Sequence, residues 1–563
     1  MLLIALTFVY IAFTTINFGA FTNVFFRTKT TDFATVSMLG LFGVTMFTSV
    51  WAIFDRVNWE FHVVLLLLNI ALFFVFRNSV TAIYRALRIE FGKLPKTIKL
   101  FFAVSGFLII AKSASAPYIL DNESYYIQTV KWLNEYGFVP GLANLHIFLA
   151  QMSGWHIAQS AFSFSFLYPN FNDLSGYCLL LANLFAVLRL CEYFKTDSKI
   201  ALIIGLLPVA NVFFLQFSGA PAADIPIFVL TFMACFYFVG SWRDPNRNSF
   251  NLLVILILFA LFIKITVIAI VLLPIFLLFK NVKELITLRI AILGILVLSL
   301  FVIRNCIASG FPLFPLPNTF GFDSDYAMPK TVANFFFVES RPYPFGLTKS
   351  QYDAMPFYEI FLTWLRLPKL HGFFNTVGVM LAILSPVFIF KFRNTKPMWL
   401  LYVTMLFQLV LLLYLSPQYR FFMNFILFFG FFCTACLLSK RIAVQILLWV
   451  SCAAAAVIVF VPVKLDSLTK NKYANRSTSL SAKNLIFPHS NSKSDTEFES
   501  LKNGNLNYFS PVNNDFFWKT GDGPLPCVNK DQVEFFEKNF GRRTQLREKE
   551  ISAGFISDSL PTR

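Results

Sequence analysis

The sequence predicts an all-α polytopic membrane protein of about 13–14 transmembrane helices, and three observations predict it. First, 57% of the 563 residues are hydrophobic and 14% charged, whereas soluble domains carry about 25% charged residues. Second, apolar runs of roughly 20 residues, the length that crosses ~30 Å of hydrocarbon as a helix, recur along the chain. Third, Lys and Arg fall in short loops between those runs, as the positive-inside rule requires. The same distribution explains the formal net charge of +17 without nucleic acid as a partner.

Spans are predicted at 2–26, 33–54, 61–76, 100–119, 174–194, 200–217, 225–242, 250–263, 265–279, 290–305, 372–390, 397–415, 421–438 and 442–463. The pair 250–279 reads as two short half-crossings meeting near Lys264. Under one orientation every basic cluster lies inside. These are Arg77, Arg85, Arg88, Lys93, Lys96 and Lys99; Lys195 and Lys199; Arg243 and Arg247; Lys280, Lys283 and Arg289; Lys391, Arg393 and Lys396; and Lys440 with Arg441. The doubtful run 146–168 must then not cross, and is expected to be an interfacial or re-entrant helix. Four regions follow: 1–99, N-terminal helices and a basic cytoplasmic loop; 100–463, the transmembrane core with outer loops 120–173 and 306–371; 464–500, a polar connector; and 501–563, a small outer domain.

Eight cysteines, six of them within apolar runs, read as small hydrophobic residues rather than a disulfide framework. Neither a P-loop nor a Gly-rich dinucleotide fingerprint occurs, so any chemistry belongs to the outer face.

That face collects the polar groups. Asp121 and Glu123 stand where a span ends. A carboxylate there can serve as general base, or Asp121 can cap the next helix with tyrosines at headgroup depth. Tyr126, Val130 and Leu133 share one face of an amphipathic helix, which Gly137 and Pro140-Gly141 end. Lys264, inside an apolar run, calls for an anionic partner such as a lipid phosphate, or snorkels from a helix end. Arg304 and Arg420 occupy outer helix ends, as interfacial anchors or, with Lys264, as a phosphate cradle. Asp224 can pair with one of these cations, face an acceptor, or cap the helix that begins beside Pro226. His146 and His156 lack metal-ligand spacing, and no metal is expected.

The stretch from Asp121 through "YGFVPGLANLH" to "GWH" (154–156) resembles the signature of a little-characterised family of large bacterial multi-spanning membrane proteins, which resemble the GT-C superfamily of glycosyltransferases. "SGAPAADIP" (218–226), "RNCIASGFPLFP" (304–315), "SPQYRFF" (416–422), "PLPC" and "LREKEISAGF" extend the likeness over most of the chain. The resemblance implies a GT-C-like fold in a bacterial inner membrane, with the active face and the C-terminus periplasmic. It also implies a polyprenyl-phosphate or pyrophosphate sugar donor, an acceptor of unspecified chemistry on the outer face, and no required cofactor. Asp121, with Glu123 as second candidate, takes the acidic role. Lys264, Arg304 and Arg420 would then hold the donor phosphate, while Tyr125, Tyr126, Trp132, His146 and Asp224 would contact sugar or acceptor. The family places a cysteine, paired with that of "PLPC", where this chain has Phe517, so Cys527 is expected to be free or to reach Cys306. The competing expectations are a transporter or flippase of lipid-linked glycans and a scaffold of an envelope-polysaccharide complex.

Overall fold

In hydrocarbon each unpaired peptide group costs several kcal/mol, so a chain this apolar must satisfy its backbone within helices. The computed structural model describes residues 1–316, 321–392, 395–438, 440–469, 473–513 and 516–560, and the side chains of 281–284 are not described. Of the basic loop residues, Arg393 and the side chain of Lys283 therefore lie outside the described residues. The chain is a multi-pass, predominantly helical membrane protein. Among the described residues ten helices are long and apolar enough to cross a membrane: Leu2–Phe25, Phe33–Phe54, Leu174–Thr196, Lys199–Phe217, Asp224–Arg243, Leu288–Ser309, Lys369–Phe390, Thr395–Leu415, Tyr419–Leu437 and Arg441–Phe460.

All fourteen predicted spans are helical, yet four fall short of that standard. Trp59–Val75 has 17 residues and turns through 84° into the amphipathic helix Arg77–Gly92. Lys96–Ser113 contains Lys96, Lys99 and Lys112. Arg247–Ile263 and Ile265–Lys280 are short apolar helices that meet at Lys264. There the backbone is extended (φ −154°, ψ 109°) before a 3₁₀ stretch, Ile265–Val271, resumes the helix.

Between the spans, the 146–168 run is too fragmented to cross. A 3₁₀ turn, Ile147–Gln151, is followed by the short helix Gly154–Ser160. It is buried rather than interfacial: Trp155 is fully enclosed, and its indole donates to Ser175 Oγ at 3.0 Å. Helix Ile127–Tyr136 is likewise covered nearly all round, including Gln128, Thr129 and Asn134. The cover is the C-terminal domain, whose Leu506, Tyr508, Val528 and Phe555 form one apolar cluster with Trp132, Val139, Leu142 and Leu145.

That domain departs from the all-α expectation. Two antiparallel hairpins, Phe498–Asn503 with Leu506–Pro511 and Arg542–Leu546 with Phe555–Ser559, flank helix Lys530–Phe540. Nor is 464–500 a free connector. Leu2 N–H donates to the Leu485 carbonyl at 2.9 Å, Tyr118 hydroxyl to the Ala474 carbonyl at 2.7 Å, and His489 N–H to the Ala114 carbonyl at 2.9 Å. Lys112 is buried and donates to the hydroxyl of Thr478 at 2.8 Å and to its carbonyl.

Pro140-Gly141 is the joint between early loop and last strand. Phe555 N–H donates to the Pro140 carbonyl at 3.0 Å and Gly141 N–H to the Ile307 carbonyl at 2.8 Å. Gly141 holds φ +66°, and a side chain there would run into the Phe555 carbonyl oxygen. Gly141→Ala is therefore expected to cost about 1–3 kcal/mol and to loosen the terminal hairpin. Limited proteolysis of the detergent-solubilised protein checks this: cleavage within 542–560 should accelerate while helical circular dichroism stays unchanged.

Candidate functional site

The chain re-enters helix at Leu120 and at once forms a π turn, Asn122–Tyr126, before the α-helix Ile127–Tyr136. A π turn closes residue i onto i+5 and recurs at functional sites. Here Ile127 N–H donates to the Asn122 carbonyl, and five residues after Asp121 the Tyr126 hydroxyl donates to Asp121 Oδ2 at 3.4 Å.

The same Asp121 oxygen receives Arg420 at 2.8 Å. Arg420 is the second residue of helix Tyr419–Leu437, and its Nε also donates to Gln418 Oε1 at 3.3 Å. Asp224, the first residue of helix Asp224–Arg243, accepts from Lys264 Nζ at 3.0 Å. Lys264 lies over the Phe421 ring, 4.4 Å from its centre. Arg420 and Asp224 both line one crevice. Its walls are mostly apolar, with aromatic residues such as Phe213, Phe214, Phe217, Phe374 and Tyr419, and with Gln216 and Asn424 as further polar groups. Two carboxylates and two cations thus gather where Arg420 and Asp224 border the crevice, and Asp224 Oδ2 is buried without a hydrogen-bond partner among the described residues.

Of the residues expected to act together, the structure brings Asp121, Asp224, Lys264, Arg420 and Tyr126 to this place. The phosphate cradle differs from expectation in two ways. Lys264 and Arg420 are already neutralised by carboxylates, and Arg304 stands apart, with the Phe262 carbonyl at 3.4 Å and the Phe262 and Phe301 rings against it.

Glu123 is turned to a different use. Its carboxylate is buried and accepts from Ser492 Oγ at 2.6 Å and Lys493 N–H at 2.9 Å, while its carbonyl accepts from Thr520 and Gly521 N–H. Burial raises its pKa despite these donors. It fastens the C-terminal segment rather than facing the crevice. Trp132 is fully buried against Tyr136 and Phe555 and has no face free for a sugar ring. His146 is enclosed beside Trp518, with Nδ1 accepting from Phe148 N–H at 3.2 Å. Tyr125 packs on Tyr126 and Phe148, 4.7 and 5.4 Å between ring centres. Cys306 and Cys527 are free thiols. Among the described residues no three His, Cys, Asp or Glu side chains form a metal-ligand group.

Sequence reasoning missed Gln216 and Asn424, although amides inside apolar runs were a visible signal. It also missed Ser492, Lys493 and Thr520, which nothing local to their polar segment marks out.

The family described as a domain of unknown function (DUF8201) matches residues 1–427, which takes in every crevice-lining residue. No curated protein and no solved structure matches the chain.

Two expectations follow from the geometry. Removing one member of a buried ion pair strands the other, at about 3–5 kcal/mol. Lys264→Met should lower the thermal midpoint in detergent, and the double variant Lys264→Met/Asp224→Leu should recover most of the loss. Burial lowers the imidazole pKa to about 4 at His146 and about 3 at His156. The unfolded chain, with histidines near 6.5, takes up protons first as pH falls. The stability these groups contribute is thus complete above about pH 6.5 and is lost towards pH 4 and below. The midpoint gap between wild type and His156→Gln should narrow over that interval in a pH series of melts.

Proposed function

We propose that this chain, which belongs to the DUF8201 family, is a membrane glycosyltransferase that moves a sugar or glycan from a polyprenyl-phosphate or pyrophosphate donor to an acceptor hydroxyl. On this reading the membrane is a bacterial inner membrane and the reacting face is periplasmic. The observation that carries it is the apolar, aromatic-rich crevice bordered by Arg420 and Asp224, with Asp121 joined to Arg420. Isoprenoid chains are apolar and suit aromatic walls. Their phosphates suit a guanidinium, which offers paired donors to two oxygens.

The ion pairs give the reaction an order. A donor phosphate that engages Arg420 competes with Asp121 for the same guanidinium and releases the Asp121 carboxylate. The acceptor hydroxyl oxygen then attacks the anomeric carbon, and the bond between that carbon and the phosphate oxygen breaks. The electron pair leaves with the phosphate, which Arg420 and Lys264 stabilise, and the hydroxyl proton passes to Asp121. Asp224 holds Lys264 in place throughout. Tyr126, donating to Asp121, keeps the carboxylate aimed.

Reconstitution into liposomes with a polyprenyl-phosphate-linked, radiolabelled sugar tests the reading. Asp121→Asn should reduce covalent transfer at least about 100-fold, the scale of positioned acid–base catalysis, and Arg420→Met should raise the donor concentration needed. Wild-type turnover by Asp121→Asn removes the proposed base. Movement of intact labelled lipid across the bilayer without transfer assigns the crevice to a flippase instead.

A further inference from the structure

We propose that Arg304 and His156 form a second anion site, separate from the crevice, that receives the carboxylate or phosphate group of a bound ligand. Arg304 is only 4% exposed, and no carboxylate pairs with it among the described residues, since Asp121 and Asp224 are engaged by Arg420 and Lys264. Among the described residues its one hydrogen bond is the long contact from Nη1 to the Phe262 carbonyl at 3.4 Å, and its Nε–H meets no acceptor. Two rings, Phe262 and Phe301, lie against the guanidinium at 4.8 and 5.0 Å. An isolated charge in such surroundings costs several kcal/mol unless an anion compensates it.

His156 is a second buried donor, on a segment that reaches the same stretch of backbone. His156 is 1% exposed, and its Nδ1 accepts from Ser153 N–H at 3.3 Å. That bond fixes the neutral tautomer with its proton on Nε2, and Nε2 has no partner among the described residues. The segments that carry the two residues both bond the backbone at the end of helix Arg247–Ile263. Ser153 Oγ donates to the Ile263 carbonyl at 2.8 Å, next to the Phe262 carbonyl that Arg304 reaches. Gly154 makes this approach possible, because a side chain there would come within 2.8 Å of the Phe262 oxygen. Burial depresses the His156 imidazole, and the Arg304 charge acts in the same direction. Two N–H groups without acceptors, one of them cationic, form a receptor for an oxyanion. The His156 ring is 4.8 Å from that of Tyr126, which donates to Asp121, so a ligand anchored here would extend towards the ion-pair cluster.

The test reads binding, not transfer, and so stands or falls apart from the glycosyltransferase reading. Full-length protein in phosphatidylcholine nanodiscs is melted against increasing inorganic phosphate or sodium glucuronate, with chloride at matched ionic strength as control. A saturable rise in midpoint with either anion is expected. Arg304→Met should melt higher than wild type without anion, because an uncompensated buried charge is gone, and should weaken the anion response at least tenfold. His156→Phe, which keeps the ring and removes the donor, should also weaken it. Arg420→Met should keep it. In phosphatidylglycerol discs, an Arg304-dependent rise that free anions no longer increase identifies the occupant as a lipid headgroup. The site is overturned if no anion response saturates, if Arg304→Met retains the response, or if only Arg420→Met abolishes it.

Discussion

Arg420 is the charge around which the polar part of this molecule is arranged. It sits at the N-terminal end of helix Tyr419–Leu437, where the helix dipole opposes a cation. Its three neighbours are better placed. Asp224 begins a helix, and Lys264 follows the end of one, positions that favour an acid and a base respectively. The Arg420 guanidinium is therefore the member that most needs its carboxylates. The π turn follows Asp121, which meets Arg420, and the break in the helix at Lys264 lets that lysine hold Asp224, while the Phe421 ring lies against both cations. Because the four charges sum to zero, the cluster is stable without a ligand. An incoming anion must exchange with a carboxylate rather than fill a vacant cradle.

Much of the membrane architecture was legible because it rests on local rules. Apolar length gives the helices. The interruption at Lys264 was readable from a lysine in an otherwise unbroken apolar run, since a continuous helix would have placed that charge in hydrocarbon. The shared location of Asp121, Asp224, Lys264 and Arg420 followed from counting crossings. What sequence could not supply was partner choice. Position at a helix end does not say whether a cation meets a phosphate or a neighbouring carboxylate, so the pairing of Asp224 with a cation stayed one alternative among three and the pairing of Asp121 with Arg420 was not foreseen. Arg304 also stands at an outer helix end, but no acid among the described residues pairs with it.

The largest misreading concerned the polar tail. Its composition suggested a linker and an appendage, because residues such as Ser492 and Thr520 look like solvated surface. Their partners lie in the first third of the chain, and contacts at such separation leave no periodicity to read. Trp132 and the helix that carries it looked interfacial for the same reason. Their amphipathic pattern describes one covered face, and the second cover comes from residues 506–555.

The bond between Glu123 and Ser492 spans 369 residues, and this separation bears on biosynthesis. At about 5–20 residues per second, the stretch that carries Asp121 leaves the ribosome tens of seconds before the segment that fastens it exists. Throughout that interval the carboxylate of Glu123 and the apolar side of Trp132 lack their final cover. The polar cluster between the helices can therefore reach its finished form only late, after the last membrane helix has been made. A nascent chain halted at residue 470 would hold every crevice-lining residue and still lack the clamp on the loop that bears its acid.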